Sequence, residues 1–191
     1  HLVHIGNAIK LPFYVCNPSV ESVGTTLSTD IVLQLIDRLP NLHGVVDASL
    51  DFVFMEEVMC NSGAKRPGFQ LLAGQDYPVS AFALGGSGMF ASLACIAPNL
   101  VKQVYELCKQ EKFVEARGAS ENIAELHHLL KNAGESGLKD GLAGIKAAMS
   151  AFGRPCGTPR PPVRALGEIE RGTISEALAG MAFLKDEPRG W

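Results

Sequence analysis

The chain has 191 residues, 47% hydrophobic and 19% charged, a balance that excludes an intrinsically disordered protein. A net charge of −3 leaves no basic stripe to displace counterions from nucleic acid. No apolar run approaches the roughly 20 residues that cross a bilayer, and the opening His1 to Lys10 has an interrupted apolar run and no small-residue cleavage site, unlike a signal peptide.

Leu11 to Cys16 is a near-continuous apolar run closed by Asn17-Pro18-Ser19, the pattern of a buried strand ending in a turn. Ser28 stands where an N-cap belongs, Asp30 suits the first-turn dipole, and Ile31, Val32, Leu35, Ile36 and Leu39 share one helical face that Pro40-Asn41 ends. His43 to Ala48 reads as a second strand. A helix carrying Phe52, Met55, Val58 and Met59 follows, and Asn61-Ser62-Gly63 is expected to stop it. Phe69 to Ala73 is the third strand, closed by Gly74-Gln75-Asp76; Pro78 to Leu84 forms a short helix; Gly86 to Ala91 is a fourth, glycine-flanked strand.

Strand–helix alternation without hairpin signals predicts a parallel sheet of the α/β class. Four β/α units are half of a (β/α)8 barrel of the TIM type, which in full needs about 250 residues. After Pro98 only helical periods occur. Val101, Val104, Leu107 and Cys108 give one, and Ile123, Leu126, Leu129 and Leu130 another. A third helix is expected from about Lys139 to Phe152 with Gly153 as its stop, and a last one from about Leu166 to Phe183. Between them Arg154 to Arg164 holds four prolines and is expected to be an extended surface linker. The expected organisation is therefore a half barrel over residues 1–98 and a helical subdomain over 99–191.

In parallel α/β architectures, chemistry sits at the C-terminal ends of the strands. Those ends offer Tyr14 to Asn17, Asp47 to Ser49, Gly74 to Asp76 and Ala91 to Cys95. On spacing alone Tyr14 has two readings, a proton relay or, more commonly, a core aromatic with a satisfied hydroxyl. Asp76 is either a ligand-positioning carboxylate or, more commonly, a helix N-cap. Gly85, Gly86 and Gly88 precede a strand, the wrong context for a phosphate cradle. His43 and the His127-His128 pair lack metal-ligand spacing, and neither a G-x-S-x-G elbow nor an HExxH helix is present. The five cysteines are odd in number and widely spaced, with no CxxC pair, which excludes zinc-ribbon and thioredoxin readings and points to a reducing, cytoplasmic compartment.

The order of these strand-end residues resembles the dihydrodipicolinate synthase/N-acetylneuraminate lyase family of Schiff-base aldolases. Leu11-Pro12-Phe13-Tyr14 with Asn17-Pro18 and Gly24 resembles that family's strand-five P-x-x-Y-N-x-P…G segment. Pro40 through Ser49 (PNLHGVVDAS) resembles its strand-six P-N-I-x-G-I-K-[DE]-A-S segment. Leu72-Ala73-Gly74-Gln75-Asp76 resembles its G-x-D segment, and Ala83-Leu84-Gly85-Gly86-Ser87-Gly88 through Ala97-Pro98 its A-L-G-A-x-G…A-P segment. Gly144 to Ala148 and Arg160-Pro161-Pro162 are similar to the family's C-terminal helices.

The resemblance implies a carbon–carbon lyase or synthase acting on pyruvate or another 2-oxo acid through a lysine imine, with no cofactor and no metal. It implies Tyr14 as proton relay, substrate contacts from Asp47, Gly74, Asp76 and Phe90, and a homodimer or homotetramer. Three departures stand beside it. The match begins just before the family's fifth strand, so the part bearing its Gly-Thr/Ser-Thr/Ser-Gly-Glu carboxylate cradle has no counterpart among these residues, and another half barrel is required as partner. The position of the Schiff-base lysine falls on Val46, which cannot condense with a carbonyl. The Y-N-V-P spacing is stretched to Tyr14-Val15-Cys16-Asn17-Pro18, and a strand-eight asparagine falls on Cys95. The alternative is a non-catalytic relative that binds a small molecule or a subunit without imine chemistry. Nucleic acid and membrane partners are not expected.

Overall fold

The computed structural model describes residues 1–19, 23–74, 77–131 and 141–190. They fall into two compact units, His1–Phe90 with Cys108–Phe113, and Ala91–Leu107 with Val114–Trp191.

The first unit opens with a helix that the sequence reading did not anticipate, α1 (Leu2–Ala8). It then alternates β1 (Phe13–Asn17), α2 (Thr29–Arg38), β2 (Leu42–Asp47), α3 (Phe52–Lys65), β3 (Gln70–Ala73), α4 (Pro78–Ala83) and β4 (Gly88–Met89). The four strands pair in parallel in the order β1-β2-β3-β4, as the alternation predicts. α2 starts where expected, since the Ser28 hydroxyl accepts from Ile31 N at 3.3 Å and Asp30 lies in the first turn.

One face of the sheet is covered by helices. Val15, Val45, Leu71 and Ala73 of the strands pack with Val32, Leu35 and Ile36 of α2 and Phe54, Met55 and Val58 of α3 in one buried cluster. Register slips between Phe13 and Tyr14, so Phe13 pairs with Leu42 and Tyr14 with Gly44. That slip keeps Phe13 and Leu42 on the helix-covered side although His43 intervenes.

Two expected boundaries move. α3 runs through Gly63 to Lys65, because a side chain at Gly63 would meet nothing and a helical glycine there costs only about 1 kcal/mol. Arg66 sets its end. The guanidinium donates to the carbonyls of Ile36, Leu39, Pro40 and Leu42 at 2.7–3.0 Å, tying the end of α3 to the turn between α2 and β2. β4 is shorter than the expected Gly86 to Ala91. Gly86 N is engaged by Ala81 O at 2.7 Å, and only Gly88 and Met89 pair with β3.

The second unit holds α5 (Pro98–Lys109), α6 (Phe113–Lys131), α7 (Leu142–Ala151) and α8 (Glu168–Gly180), with short 3-10 turns at Ser92–Cys95 and Ala182–Leu184. The expected start of the third helix at Lys139 lies outside the described residues. The last helix stops at Gly180, and only the 3-10 turn reaches the expected Phe183. Residues 155–164 form the expected linker, without helix or strand and none of them buried, but Arg154, the first residue of the expected stretch, departs from it. Arg154 is 6% exposed and donates to Gly190 O at 2.9 Å, Cys95 O at 2.6 Å and Pro188 O at 2.5 Å.

Glu187, 5% exposed, accepts from the backbone N–H groups of Asn99 at 3.0 Å and Leu100 at 2.8 Å, so the C-terminal segment caps α5 from outside the helix. Glu187→Ala strands both donors and is expected to cost about 2–3 kcal/mol. Denaturant unfolding checks this; a loss under about 0.5 kcal/mol would show that other groups satisfy these donors.

Candidate active site

Strand pairing sorts the sequence-predicted residues into two groups. Side chains alternate across a strand, so the residues between those of the helix-packed cluster share the opposite, inner face of the sheet. That face carries Tyr14 and Cys16 of β1, Gly44 and Val46 of β2, Gln70 and Leu72 of β3, and Gly88 of β4. Across it, Cys16 pairs with Val46, Val46 with Leu72, and Leu72 with Gly88. This row at the C-terminal end of the sheet is where ligands bind in parallel α/β folds. Cys16 is exposed, while Val46 and Leu72 are half-buried.

Tyr14 lies one row further down, level with Gly44 and Gln70. Its hydroxyl donates to Gln70 Oε1, so the phenol bridges β1 to β3 over the bare backbone of Gly44. A Cβ on Gly44 would come 2.7 Å from Tyr14 Cε1, which is why glycine is required beneath the ring. Cys16, two residues on from Tyr14, is the β1 residue that pairs with Val46.

Asp47 belongs to the other group. It has the parity of Val45, is fully buried at 0% exposed, and pairs with Asn17. Asn17 Nδ2 donates to Asp47 Oδ1 at 2.7 Å, and Ser49 Oγ donates to the same oxygen at 2.8 Å. Asn17 Oδ1 in turn accepts from Leu27 N at 2.7 Å. The Asp47 carbonyl accepts from Gly74 N at 2.5 Å and from the Tyr77 hydroxyl at 2.9 Å. Asp47 Oδ2 is buried with no hydrogen-bond partner among the described residues. Burial pushes the carboxyl above the usual carboxylate range against the opposing pull of Ser49 and Asn17. Burial and, secondarily, the Asp47 charge push the Cys16 thiol up, and the same two causes push the Tyr77 phenol up.

Of the remaining expected residues, Gly74 sits against Asp47, where a Cβ would come 2.6 Å from Asp47 O. Phe90, 64% exposed, follows β4 with its N–H on Ala73 O at 2.6 Å. Ala91 to Cys95 belong to the other compact unit. Asp76 lies outside the described residues. Among the described residues no three His, Cys, Asp or Glu side chains group as a metal site would need, and no helix is long and apolar enough to cross a membrane. The five cysteines are unbridged. Sequence reasoning placed Cys16 and Asn17 at a strand end without giving either a role, and passed over Tyr77.

A four-stranded parallel sheet in sequential order, with helices on one face, defines part of a β/α barrel. Residues 5–180 match the Dihydrodipicolinate synthetase family, and the chain belongs to it. It is 28% identical over 187 residues to a 4-hydroxy-tetrahydrodipicolinate synthase from Archaeoglobus fulgidus, covering 96% of this chain and 60% of that protein. Among solved structures it is similar to dihydrodipicolinate synthase from Bacteroides thetaiotaomicron, with a TM-score of 0.82 at 22% identity over 94% of this chain and 61% of that one. A prophage protein of the dihydrodipicolinic acid synthase family from E. coli, in complex with pyruvate, superposes with a TM-score of 0.80 at 19% identity over 93% of this chain and 58% of that one. The fold is that of TIM-barrel β/α units, and the chain spans about three fifths of the length of the relatives it matches.

Proposed function

We propose that this chain carries a half barrel, residues 1–98, which contributes to a pocket for pyruvate or a closely related 2-oxo acid in the lyase and synthase class of its family, and a helical subdomain, residues 99–191. Family membership and a structural neighbour holding pyruvate support the substrate class. One observation bears on what this chain's own residues do with such a ligand. Val46 stands on the inner face, level with Cys16, where the resemblance places an imine-forming lysine, and it carries no amine. That absence supports the non-catalytic alternative for this chain's own residues, reversible binding of the 2-oxo acid without a covalent step. The rest of the pocket comes from a second half barrel, and the assembly is a homodimer or homotetramer in the reducing cytoplasm, a setting that unbridged cysteines suit.

Incubation of the intact protein with pyruvate and borohydride tests this. The expected result is saturable pyruvate binding with the mass of the chain unchanged. A reduced adduct on the peptide holding Val46 and Asp47 would replace the reversible reading with a Schiff-base lyase. Absence of binding would overturn the 2-oxo-acid assignment itself.

A further inference from the structure

The inner face of the sheet continues past the row Cys16–Val46–Leu72. Backbone pairing runs one residue beyond the strands: Ala48 N donates to Asn17 O at 2.8 Å, Gly74 N to Asp47 O at 2.5 Å, and Phe90 N to Ala73 O at 2.6 Å. Ala48, Gly74 and Phe90 keep the parity of Val46, Leu72 and Gly88, so they form a second inner row nearer the ligand end. A Cβ on Gly74 would lie 2.9 Å from the Ala48 Cβ, which puts these two positions on one side.

The two rows make a step. Leu72 covers the lower one, its Cδ2 standing 2.8 Å from where a Gly88 Cβ would be. Above it, Gly74 is bare backbone between Ala48 and Phe90, and Phe90 is 64% exposed. Neither row holds a charge or a side-chain nitrogen donor. Tyr14 and Gln70, one row further down, are engaged with each other. The loop after β2, at the same end of the sheet, is also apolar. Leu50 there is 49% exposed, and Phe52 is 44% exposed and meets the Tyr77 ring edge-on at 6.2 Å.

A carboxylate laid on such a surface sheds its hydration and gains no partner, whereas an alkyl or aryl group sheds water and gains contact. The upper row spans two strand spacings, roughly 10 Å from Ala48 to Phe90, which is more than one methyl group covers. We infer that this half barrel selects a 2-oxo acid with a branched or aromatic apolar tail. The tail is seated on Leu72, Gly74 and Phe90, and the carboxylate is turned away from the sheet. This inference rests on the 2-oxo-acid reading above and names the tail that reading leaves open.

Calorimetric titration of the intact protein with pyruvate, 4-methyl-2-oxopentanoate, phenylpyruvate and 2-oxoglutarate tests it. A buried methylene is worth about fourfold in affinity, so the two apolar-tailed acids should bind about tenfold tighter than pyruvate even when half-covered. 2-Oxoglutarate carries a charged tail of similar length and should bind no tighter than pyruvate. Phe90→Ala, at an exposed position, should shrink the advantage of phenylpyruvate over pyruvate by about fivefold. A residue needed only for folding would weaken all four acids alike. Phe90→Arg sets a cation beside the tail and should reverse the order, placing 2-oxoglutarate above 4-methyl-2-oxopentanoate. Three results would overturn the apolar seat and leave the 2-oxo-acid reading standing: wild-type affinities within about twofold of one another, tightest wild-type binding of 2-oxoglutarate, or an order that neither variant moves. Failure of all four acids to bind would overturn both.

Discussion

Replacing Val46 with lysine is expected to create a covalent pyruvate site where the wild-type chain has none. Position 46 lies on the inner face of β2, half-buried between Cys16 and Leu72. An amine here would be partly desolvated, which lowers its pKa and frees the lone pair to attack the 2-oxo carbon. With pyruvate and borohydride, the Val46→Lys protein should gain the mass of one pyruvate less one water plus two hydrogens, mapped to residue 46. The wild-type protein should gain nothing. Adding Cys16→Tyr should speed adduct formation by about a hundredfold, because a phenol level with position 46 can move the proton that imine formation requires. A folded Val46→Lys protein that binds pyruvate but is never trapped would show that position 46 does not face the ligand.

The inner row also shows how far residue letters alone reach. The parallel sheet was legible, because short apolar runs such as Leu11 to Cys16 and Phe69 to Ala73 alternate with segments whose apolar residues recur at helical spacing. The C-terminal ends of the strands were legible as the ligand end for the same topological reason. Two things were not. Which residue of β1 stands level with Val46 depends on pairing register, and the slip between Phe13 and Tyr14 is a three-dimensional fact with no one-dimensional signature. The face to which Asp47 points is set by its parity with Val45, and its network with Asn17, Ser49, Gly74 and Tyr77 joins segments up to 30 residues apart. α1 escaped because His4, Gly6 and Asn7 interrupt its apolar period. The boundaries of α3 and β4 moved for local reasons, an open Gly63 and a Gly86 N–H already engaged.

Gly44→Ala is expected to be the most damaging single-atom addition to the sheet. Gly44 sits on β2 with Tyr14 on one side and Gln70 on the other, and the Tyr14 ring crosses above it to reach Gln70. A Cβ at position 44 would lie 2.7 Å from Tyr14 Cε1 and 2.9 Å from Cδ1, and would press on the Gln70 carbonyl oxygen. The ring can swing away only by giving up the Gln70 hydrogen bond. The carbonyl oxygen belongs to the β3 backbone paired with β2, so it can move only by opening the ladder. Relief of one contact leaves the other. The expected loss is about 3–5 kcal/mol, near the whole stability of many domains, with a correspondingly low yield of folded protein. Tyr14→Phe separates the two contributions. It removes the hydroxyl, keeps the ring, and should cost only about 0.5–1.5 kcal/mol. In the Gly44→Ala background, Tyr14→Ala should recover the part of the loss due to the ring and leave the part due to the carbonyl. Denaturant midpoints of the four proteins measure this, and a Gly44→Ala protein as stable as wild type would show that β2 and β3 do not pair in this register.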